Sequence, residues 1–349
     1  MMQIINTGII GFGLSGKVFH APFIHAHPGF RLVSVVERHH KYSKDLYPGI
    51  SVLKSYRELL KDDNIDLVVV ATPNIYHFPM VKESLLAGKH VLVEKPFVPT
   101  SKEADELIGL SGETGKKIFV FQNRRWDGDF LTIKKLLAAG KFGDIKYYEA
   151  HFDRFSPEIK SDAWRDENIP GGGILYDLGA HLIDQALCLF GMPDSINANV
   201  KSERPGSRVD DCFDLKLIYN DKTIVLKAGM MVRDPGPRFI IEGTEGNFSK
   251  YGIDTQEAAL KSGKIPGTDD WGSEEAEYWA TLGSGPATPF DISHIPTENG
   301  NYMGFFDNVY DVLFKNKPQT ILPEEARDVI FIIEKAFESS MKHRAIKIK

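Results

Sequence analysis

Lys95, Asp177 and His181 are the side chains whose types and spacing could move a proton at a substrate hydroxyl. Hydride removal from a secondary alcohol requires a base, and a histidine suits that role because it titrates close to neutral pH. A lysine next to the reacting oxygen can stabilise developing alkoxide charge. Asp177 lies four residues before His181 in a predicted helix, so the two should share one face. We predict all three as catalytic residues, with Asp177 holding a neighbouring hydroxyl or orienting the other two groups.

A glycine-rich turn of the G-x-G-x-x-G type lies near the start of the chain. Its residues are Gly11, Phe12, Gly13, Leu14, Ser15 and Gly16. The turn follows an apolar run at 7–10 and precedes a plausible helix, which is the context that a dinucleotide-binding fingerprint requires. Gly11 permits the tight turn, Gly13 lets the backbone approach a pyrophosphate, and Gly16 lets the helix pack on the strand. The helix N-terminus adds amide donors, so we predict that all six residues bind a nicotinamide dinucleotide.

Glu37 and Arg38 end the second predicted strand, about 20 residues after the turn, where the fingerprint places the residue that reads the adenosine ribose. Glu37 can accept hydrogen bonds from the ribose hydroxyls, which favours NAD. Arg38 could instead neutralise a 2′-phosphate, which favours NADP, and His39 and His40 could assist it. The residues leave the choice between NAD and NADP open and lean towards NAD.

The first third of the chain alternates short apolar runs with helical segments. The runs lie at 7–10, 32–36, 67–71, 90–93 and 118–121, and most are β-branched and uninterrupted, as in parallel strands buried on both faces. Helices are predicted at 76–87 and 102–113. This alternation predicts an α/β Rossmann domain, a doubly wound parallel sheet, over 1–122. Lys95 lies at the carboxyl end of one strand, where such sheets bind ligands.

The remainder, 123–349, is predicted to be an α+β domain with a mostly antiparallel sheet. Strands are expected at 145–154, 196–201, 212–219, 223–231 and 239–242, and helices at 174–190, 302–314 and 324–341. Loops are expected over 263–300, and the last helix could pack back on the first domain. Because Asp177 and His181 fall in this part, we predict that the active site forms between the domains. The alternating strands 212–219 and 223–231 predict a sheet face that needs covering by helices of the chain or by a second copy.

A set of polar and aromatic side chains in the second domain could form a substrate pocket. The candidates are His151, Asp153, Arg154, Trp164 and Tyr176. Polar groups beside an aromatic wall are what a polyol needs, since each hydroxyl must find a partner. Trp164 could equally be core packing, and Asp153 with Arg154 a structural pair.

The composition restricts the classes of partner. The 349 residues carry a formal net charge of −6 and no run of five like charges. Nucleic-acid and anionic-membrane binding both need basic patches, so neither is expected. Cys188 and Cys212 are isolated and no segment has about 18 uninterrupted apolar residues, which predicts a cytoplasmic protein without a transmembrane helix. No metal is expected, because His181 with Asp177 or Asp184 lacks a third ligand at suitable spacing.

Three further motifs carry a family resemblance. They are Ala71-Thr72-Pro73-Asn74 with His77, Glu94-Lys95-Pro96, and the segment 171–181 (GGGILYDLGAH) with Asp184. Together with the glycine turn they resemble the glucose–fructose oxidoreductase, inositol dehydrogenase and MocA (Gfo/Idh/MocA) family over essentially the whole chain. The segments 123–127, 151–154 and 251–254 resemble the subgroup that contains scyllo-inositol dehydrogenases.

The resemblance implies a Rossmann domain followed by a sheet domain that often forms dimers or tetramers. It implies that Lys95, Asp177 and His181 match the family's catalytic lysine, aspartate and histidine. It also implies that Thr72, Pro73, Asn74 and His77 lie near the nicotinamide ribose, with Glu94, Lys95 and Asn123 as further cofactor contacts. Relatives that prefer NADP tend to carry a small residue before an arginine at the end of the second strand, and Glu37 departs from that pattern.

The expected activity is therefore NAD(P)-dependent hydride transfer at a secondary alcohol of an inositol, sugar or related polyol, by a homodimer or homotetramer. Two alternatives remain open. Some members of the family hold NAD tightly and use it for transient oxidation in a redox-neutral glycosidase or epimerase-like reaction. A non-catalytic NAD(P)-binding sensor is the other alternative, although a sensor would need none of the three catalytic residues.

Overall fold

The structure is a computed structural model that describes residues 3–39, 41–159, 164–285 and 291–348, residue 165 by its backbone alone. His40, a candidate phosphate contact, lies outside the described residues. The chain divides into two compact units. The first comprises Met1–Asn123, Gln256–Trp271 and Asn301–Arg327, and the second comprises Arg124–Thr255, Gly272–Gly300 and Asp328–Lys349.

The strands and helices alternate first and segregate later, as the sequence predicts. In the described residues the strands are β1 (Ile5–Ile10), β2 (Phe30–Val36), β3 (Ser51–Leu53), β4 (Leu67–Val70), β5 (His90–Glu94), β6 (Ile118–Phe121), β7 (Ile145–His151), β8 (Ser195–Lys201), β9 (Cys212–Ile218), β10 (Thr223–Gly229), β11 (Phe239–Gly243), β12 (Gly246–Lys250), β13 (Ala280–Ser284), β14 (Asp291–Ile295) and β15 (Ile346–Lys347). The helices are α1 (Ala21–Ala26), α2 (Tyr42–Leu46), α3 (Tyr56–Leu60), α4 (His77–Leu86), α5 (Ser101–Thr114), α6 (Gly128–Ala138), α7 (Ala180–Phe190), α8 (Gln256–Lys261), α9 (Met303–Phe314) and α10 (Pro323–Lys342).

The first unit is built on a parallel sheet with strand order β3-β2-β1-β4-β5-β6. All four residues of β4 are fully buried, because helices cover both faces of a sheet whose strands are uninterrupted β-branched runs. The strand order reverses direction between β1 and β4, so the glycine turn after β1 lies at the switch point where such sheets bind ligands. The predicted Rossmann architecture is confirmed.

Helix α9 returns to the first unit through an aromatic cluster. The ring of Phe306 stacks on Phe23 of α1 with centroids 5.2 Å apart, and Phe305 meets Phe121 of β6 edge-on at 4.9 Å. Aromatic pairs of this size bury large apolar areas, which explains why α9 joins a sheet far away in sequence. Helix α9 thus belongs to the first unit. The prediction concerned the last helix, α10, whose residues up to Arg327 fall in the first unit and whose residues from Asp328 onward fall in the second.

The second unit holds a sheet of nine strands among the described residues, in the order β14-β13-β12-β11-β7-β10-β9-β8-β15. Its pairs are antiparallel except for β7 with β10, which confirms a mostly antiparallel sheet. The predicted loop region 263–300 is wrong in part, because it contains β13 and β14. Their short sequences ATLGS and DISHI are polar or glycine-containing, so they lack the apolar run that marks a strand.

One face of this sheet is covered by the chain itself. Phe213, Leu215 and Leu217 of β9 are almost completely buried, as alternate residues of a half-covered strand should be. Helix α10 lies against β8, where the Ala198 amide donates to Ser339 Oγ at 3.0 Å and the Val200 amide donates to Ser340 Oγ at 2.9 Å. The alternating pattern of β9 and β10 is therefore satisfied within one chain and does not by itself require a second copy.

Candidate active site

The glycine turn after β1 has the geometry that a dinucleotide needs. Gly11 has a φ of +94°, and a Cβ there would overlap the Ala71 carbonyl oxygen. A Cβ at Gly16 would overlap the Gly11 carbonyl oxygen. Both positions therefore require glycine, because the overlapping atoms belong to the backbone. Around Gly13, in contrast, a Cβ would meet none of the described atoms within 4 Å. Gly13 thus faces open space beside the backbone, which is room that a pyrophosphate could occupy.

A buried carboxylate connects this turn to Lys95. Glu94 ends β5, and its Oε1 accepts hydrogen bonds from Ser15 Oγ and from His20 Nε2, the latter at 2.8 Å. Its Oε2 accepts the Lys95 amide at 3.2 Å. Burial raises the pKa of Glu94, but the hydrogen bonds of His20 and Ser15 and the charge of Lys95 outweigh burial and hold that pKa below its usual value. Glu94 is therefore an ionised carboxylate that connects the glycine turn to Lys95, the predicted catalytic lysine. We call this connection the Glu94 joint.

His77 fixes the backbone on both sides of this joint. Its Nε2 lies 2.9 Å from the Thr72 carbonyl oxygen, and its Nδ1 lies 3.0 Å from that of Pro96. Complete burial lowers the pKa of His77 in spite of these carbonyl contacts. The imidazole thus ties the predicted ribose loop, which includes Pro73 and the buried Asn74, to the segment that follows Lys95.

Glu37 lies at the carboxyl end of β2, as predicted. Its carboxylate accepts both the amide of Ser43, at 3.0 Å, and the Ser43 hydroxyl. Ser43 is fully buried at the start of α2, so it fixes the orientation of Glu37, while Arg38 is exposed. Phe12 packs edge-on against Tyr47 at 6.5 Å between ring centroids, Leu14 is exposed, and Asn123 is buried just beyond β6.

In the second unit, the predicted catalytic residues lie on one continuous helical segment. We call this segment the catalytic helix; it comprises a π-helical turn at Leu175–Gly179 and α7. Asp177 lies half-buried in the π turn, and His181 is buried in the first turn of α7. A second π turn, Gly16–His20, follows the glycine turn in the first unit. Single π turns occur often at functional sites, and here both lie at predicted ones.

The surroundings of His181 are rich in arginine. The ring of Phe152 lies 6.3 Å from that of His181, and the guanidinium groups of Arg238 and Arg124 lie over the same phenyl ring at 3.8 and 4.9 Å. One turn beyond His181, the carboxylate of Asp184 forms a bidentate pair with Arg125 at 2.7 and 2.8 Å. Asp184 is thus engaged in an ion pair with Arg125.

Two of the predicted substrate residues lie on the other face of the sheet. His151 Nδ1 is 2.7 Å from Asp153 Oδ2 and its Nε2 is 2.7 Å from Glu149 Oε1. Burial lowers the pKa of His151, but the two carboxylates outweigh it and raise the pKa above the usual value. Because side chains alternate across an extended strand, His151 and Asp153 face away from Phe152 and His181. The structure therefore does not support these two residues as a pocket wall beside His181.

The other three substrate candidates fall in different settings. Arg154 is exposed, and Trp164 is half-buried in a short 3₁₀ turn, Trp164–Asp166. Tyr176 packs against Phe337 at 6.0 Å and lines a surface cleft of about 670 Å³. The lining of the cleft includes Asn168, Gly172, Lys201, Arg208 and Asp210, but neither Asp177 nor His181.

Three residues of the site were not predicted from the sequence: His20, Ser43 and Asp210. Each acts on a partner that is remote in sequence or is fixed by a loop conformation, namely Glu94, Glu37 and the start of the catalytic helix. His20 gives a weak signal, because a histidine in an apolar helical segment needs a polar partner. Ser43 and Asp210 have no signal that distinguishes them from ordinary polar residues.

Two further features, a metal-binding cluster and a membrane-spanning helix, are absent from the described residues. No group of three or more histidine, cysteine, aspartate and glutamate side chains could hold a metal ion in the part of the chain that the structure describes. Among the helices of those same residues, none has both the length and the apolar character that crossing a bilayer requires.

Comparison with protein families places both parts of the chain. Residues 5–122 match the NAD-binding Rossmann-fold domain of the Gfo/Idh/MocA oxidoreductases, and residues 134–348 match the C-terminal alpha/beta domain of the same family. Together the two matches cover most of the chain and both structural units.

Individual relatives agree over the full length. The chain is 37% identical over 348 residues to the scyllo-inositol 2-dehydrogenase (NADP(+)) IolW of Bacillus subtilis, covering 100% of this chain and 97% of that one. It is 39% identical over 345 residues to the uncharacterized oxidoreductase YdgJ of Escherichia coli, covering 99% of each. The solved structure of yvaA from Bacillus subtilis is similar with a TM-score of 0.96 and 36% identity, covering 100% and 99% of the two chains.

Proposed function

The chain belongs to the Gfo/Idh/MocA family of oxidoreductases, and from this membership we propose that it is an NAD(P)-dependent dehydrogenase. The proposed reaction transfers a hydride between nicotinamide and a secondary alcohol of an inositol, sugar or related polyol. The observation that carries the proposal is the joint at Glu94, which connects the dinucleotide turn directly to Lys95. The similarity to a scyllo-inositol dehydrogenase over the full length supports the substrate class.

The proposed roles follow from the chemistry of each residue. His181 accepts the hydroxyl proton during oxidation and returns it during reduction. Lys95 stabilises the negative charge that develops on the reacting oxygen. Asp177 holds a neighbouring hydroxyl and so orients the carbon that loses or gains the hydride. Bound nicotinamide supplies the hydride acceptor or donor, which no side chain can provide.

For the cofactor, we propose that NAD is accepted at least as well as NADP. A buried carboxylate at Glu37 would repel a 2′-phosphate and would bind two ribose hydroxyls. The name of IolW assigns NADP(+) to that relative, so the two proteins are expected to differ in cofactor preference. Arg38 is the residue that would allow NADP to bind at all.

For the substrate, we propose that Trp164 supplies an aromatic wall, whereas His151 and Asp153 contribute nothing to the pocket. Tyr176 packs against Phe337 and lines a cleft that includes neither Asp177 nor His181, so we do not propose it as a wall. A homodimer or homotetramer remains our proposal for the assembly. The sheet face opposite Phe152 carries the buried Glu149 and the half-buried His151 and Lys227, so an interface on that face would be polar.

A direct activity screen tests the proposed function. Purified protein is assayed with inositols, sugars and lactones, each with NAD and with NADP, by nicotinamide absorbance. Net reduction of the cofactor by a polyol is the expected result. Tightly bound cofactor without net reduction would favour the redox-neutral alternative. Cofactor binding without turnover of any substrate would favour the sensor.

A further inference from the structure

Asp210, two residues before β9, supplies acceptors to the start of the catalytic helix. Its Oδ2 accepts the Leu175 amide at 2.8 Å, and its own carbonyl oxygen accepts the Ile174 amide at 2.9 Å. Amides at the beginning of a helix have no acceptor within the helix and need one from elsewhere. One residue, remote in sequence, thus fixes two successive backbone amides of the turn that carries Asp177.

The glycine run before the helix, 171–173, packs closely against the Asp210 carboxylate at Gly173. Gly173 has a φ of +89°, and a Cβ at this position would overlap the Asp210 carboxylate. Only glycine combines that backbone conformation with so close an approach. The carbonyl oxygen of Gly173 in turn accepts the Asp177 amide at 3.1 Å. Gly173 therefore contacts Asp210 on one side and hydrogen-bonds to Asp177, a predicted catalytic residue, on the other.

The carboxylate is held in an unfavourable environment. Burial raises the pKa of Asp210 to about 6, although the Leu175 amide works in the opposite direction. Asp210 is half-buried, so its charge is only partly removed from water. A neutral side-chain acceptor would satisfy the Leu175 amide without the cost of desolvating a charge, and the Ile174 amide bonds to the main-chain carbonyl oxygen of Asp210. Groups with unfavourable ionisation are concentrated at functional sites, where geometry outweighs stability.

We infer that Asp210 is a positioning residue, which fixes the first turn of the catalytic helix and through it the places of Asp177 and His181. The inference rests on the proposed function, because it acts through these two residues. Asp210 itself takes no part in proton transfer.

The neighbouring aspartate provides a contrast. Asp211 Oδ2 pairs with Arg204 Nε at 3.0 Å, and Arg204 Nη2 contacts Asp166 Oδ1 at 2.7 Å. Asp211 also accepts the Glu203 amide at 2.6 Å. Asp211 thus belongs to an ion-pair cluster, whereas the Leu175 amide donates to Asp210.

The test compares Asp210→Ala with Asp210→Asn. The alanine variant removes the acceptor, so kcat should fall by about 10²-fold through misplacement of the catalytic groups. The asparagine variant keeps an acceptor oxygen and should restore most of kcat. Cofactor dissociation constants, measured by nicotinamide fluorescence, should stay unchanged, because the glycine turn belongs to the other unit. Amide hydrogen exchange at 174–178 should quicken in the alanine variant only.

Asp221→Asn is the matched control, since Asp221 is an exposed turn residue that pairs with Lys222. If Asp210→Ala does not fold, Asp210→Glu replaces it, because the longer side chain displaces the carboxylate and should give the same loss of kcat. Unchanged kcat together with unchanged exchange would overturn the inference. Wild-type protein without turnover would refute the proposed function, and the exchange measurement would still decide whether Asp210 orders the helix.

Discussion

Glu94 Oε1 and His20 Nε2 lie 2.8 Å apart in a pair that is almost fully removed from solvent. The same oxygen accepts Ser15 of the glycine turn, and the other carboxylate oxygen accepts the Lys95 amide. The Glu94 carboxylate, a predicted cofactor contact, thus also holds the glycine turn and the Lys95 amide in place. Because the Glu94 carboxylate contacts both the glycine turn and the amide of Lys95, the proposed catalytic lysine, its removal should affect cofactor binding and turnover together.

Glu94→Gln should destabilise the fold by about 1.5–3 kcal/mol, the range for hydrogen bonds that involve a charged group. The pKa of Glu94 is lower in the folded chain than its ordinary value of 4.5, so its stabilising contribution is present above that value and is lost as pH falls below it. Urea denaturation at pH 7 and at pH 4 measures both effects. A variant as stable as wild type at pH 7 would contradict the role of the joint.

Cofactor selectivity should depend on Glu37. Glu37→Ser removes the repulsion of a 2′-phosphate while Arg38 remains, so the preference should move towards NADP. Ser43→Ala should weaken NAD binding more than NADP binding, because Ser43 orients the Glu37 carboxylate. Dissociation constants for both cofactors check these expectations, with Ser51→Ala on β3 as the control. A wild-type preference for NADP of about tenfold, or 1.4 kcal/mol, would show that the proposal for NAD is wrong.

Substitutions at the proposed catalytic residues should affect turnover, whereas substitutions at the proposed cofactor-binding residues should affect cofactor binding. Lys95→Met should lower transition-state stabilisation by about 2.7–4 kcal/mol, and His181→Ala should lower kcat by about 10²–10⁴-fold. Both variants should still bind the cofactor. Gly13→Val should do the reverse, because its side chain would fill the open space beside the turn.

Steady-state kinetics with fluorescence titration of the cofactor distinguishes these two classes. Lys102→Met, an exposed lysine in the first turn of α5, is the control for loss of charge. Near wild-type turnover in both Lys95→Met and His181→Ala would show that the roles proposed for Lys95 and His181 in hydride transfer are wrong. The sensor and the redox-neutral reaction would then be the better descriptions.

The two neighbouring aspartates should give stability changes of opposite sign. The pKa of Asp210 is raised from 3.8 to about 6, so its ionisation makes folding less favourable as pH rises through that interval. Asp210→Asn should therefore stabilise the protein at pH 7, by at most about 3 kcal/mol. The pKa of Asp211 is lowered, chiefly by the Glu203 amide and the Arg204 pair acting against burial. Asp211→Asn should therefore destabilise the protein by about 1.5–3 kcal/mol.

Chemical denaturation of both aspartate variants at pH 4.5 and pH 7 provides the measurement. The gain from Asp210→Asn should shrink at the lower pH, where the wild-type carboxyl is largely protonated. Equal losses of stability in the two variants would mean that Asp210 is an ordinary structural cap.

The oligomeric state is the fifth expectation. Light scattering at micromolar concentration should give a dimer or tetramer rather than the 39.1 kDa of a single chain. A monomer at every concentration tested would show that the proposal of a dimer or tetramer is wrong. The apolar face of the sheet is covered within one chain, so that face does not support the proposal.

The sequence alone determined those features whose cause is local. The strands of the Rossmann sheet are short β-branched runs, and their bounds follow closely from hydrophobicity. The glycine turn, with Glu37 after the next strand, was readable because its spacing reflects a fixed strand–turn–helix geometry. The order of the motifs also identified the family, which the family models confirm.

Tertiary structure alone decided the features that depend on contacts between remote segments. His20 and Asp210 matter because folding brings them to Glu94 and Leu175, 74 and 35 residues away. Alternation along β7 predicts that His151 and Phe152 face opposite ways, but only the covering helices determine which face holds His181. The return of α9 to the first unit likewise depends on where Phe23 and Phe121 lie. In each case the partner is chosen by packing in three dimensions, which spacing along the chain does not encode.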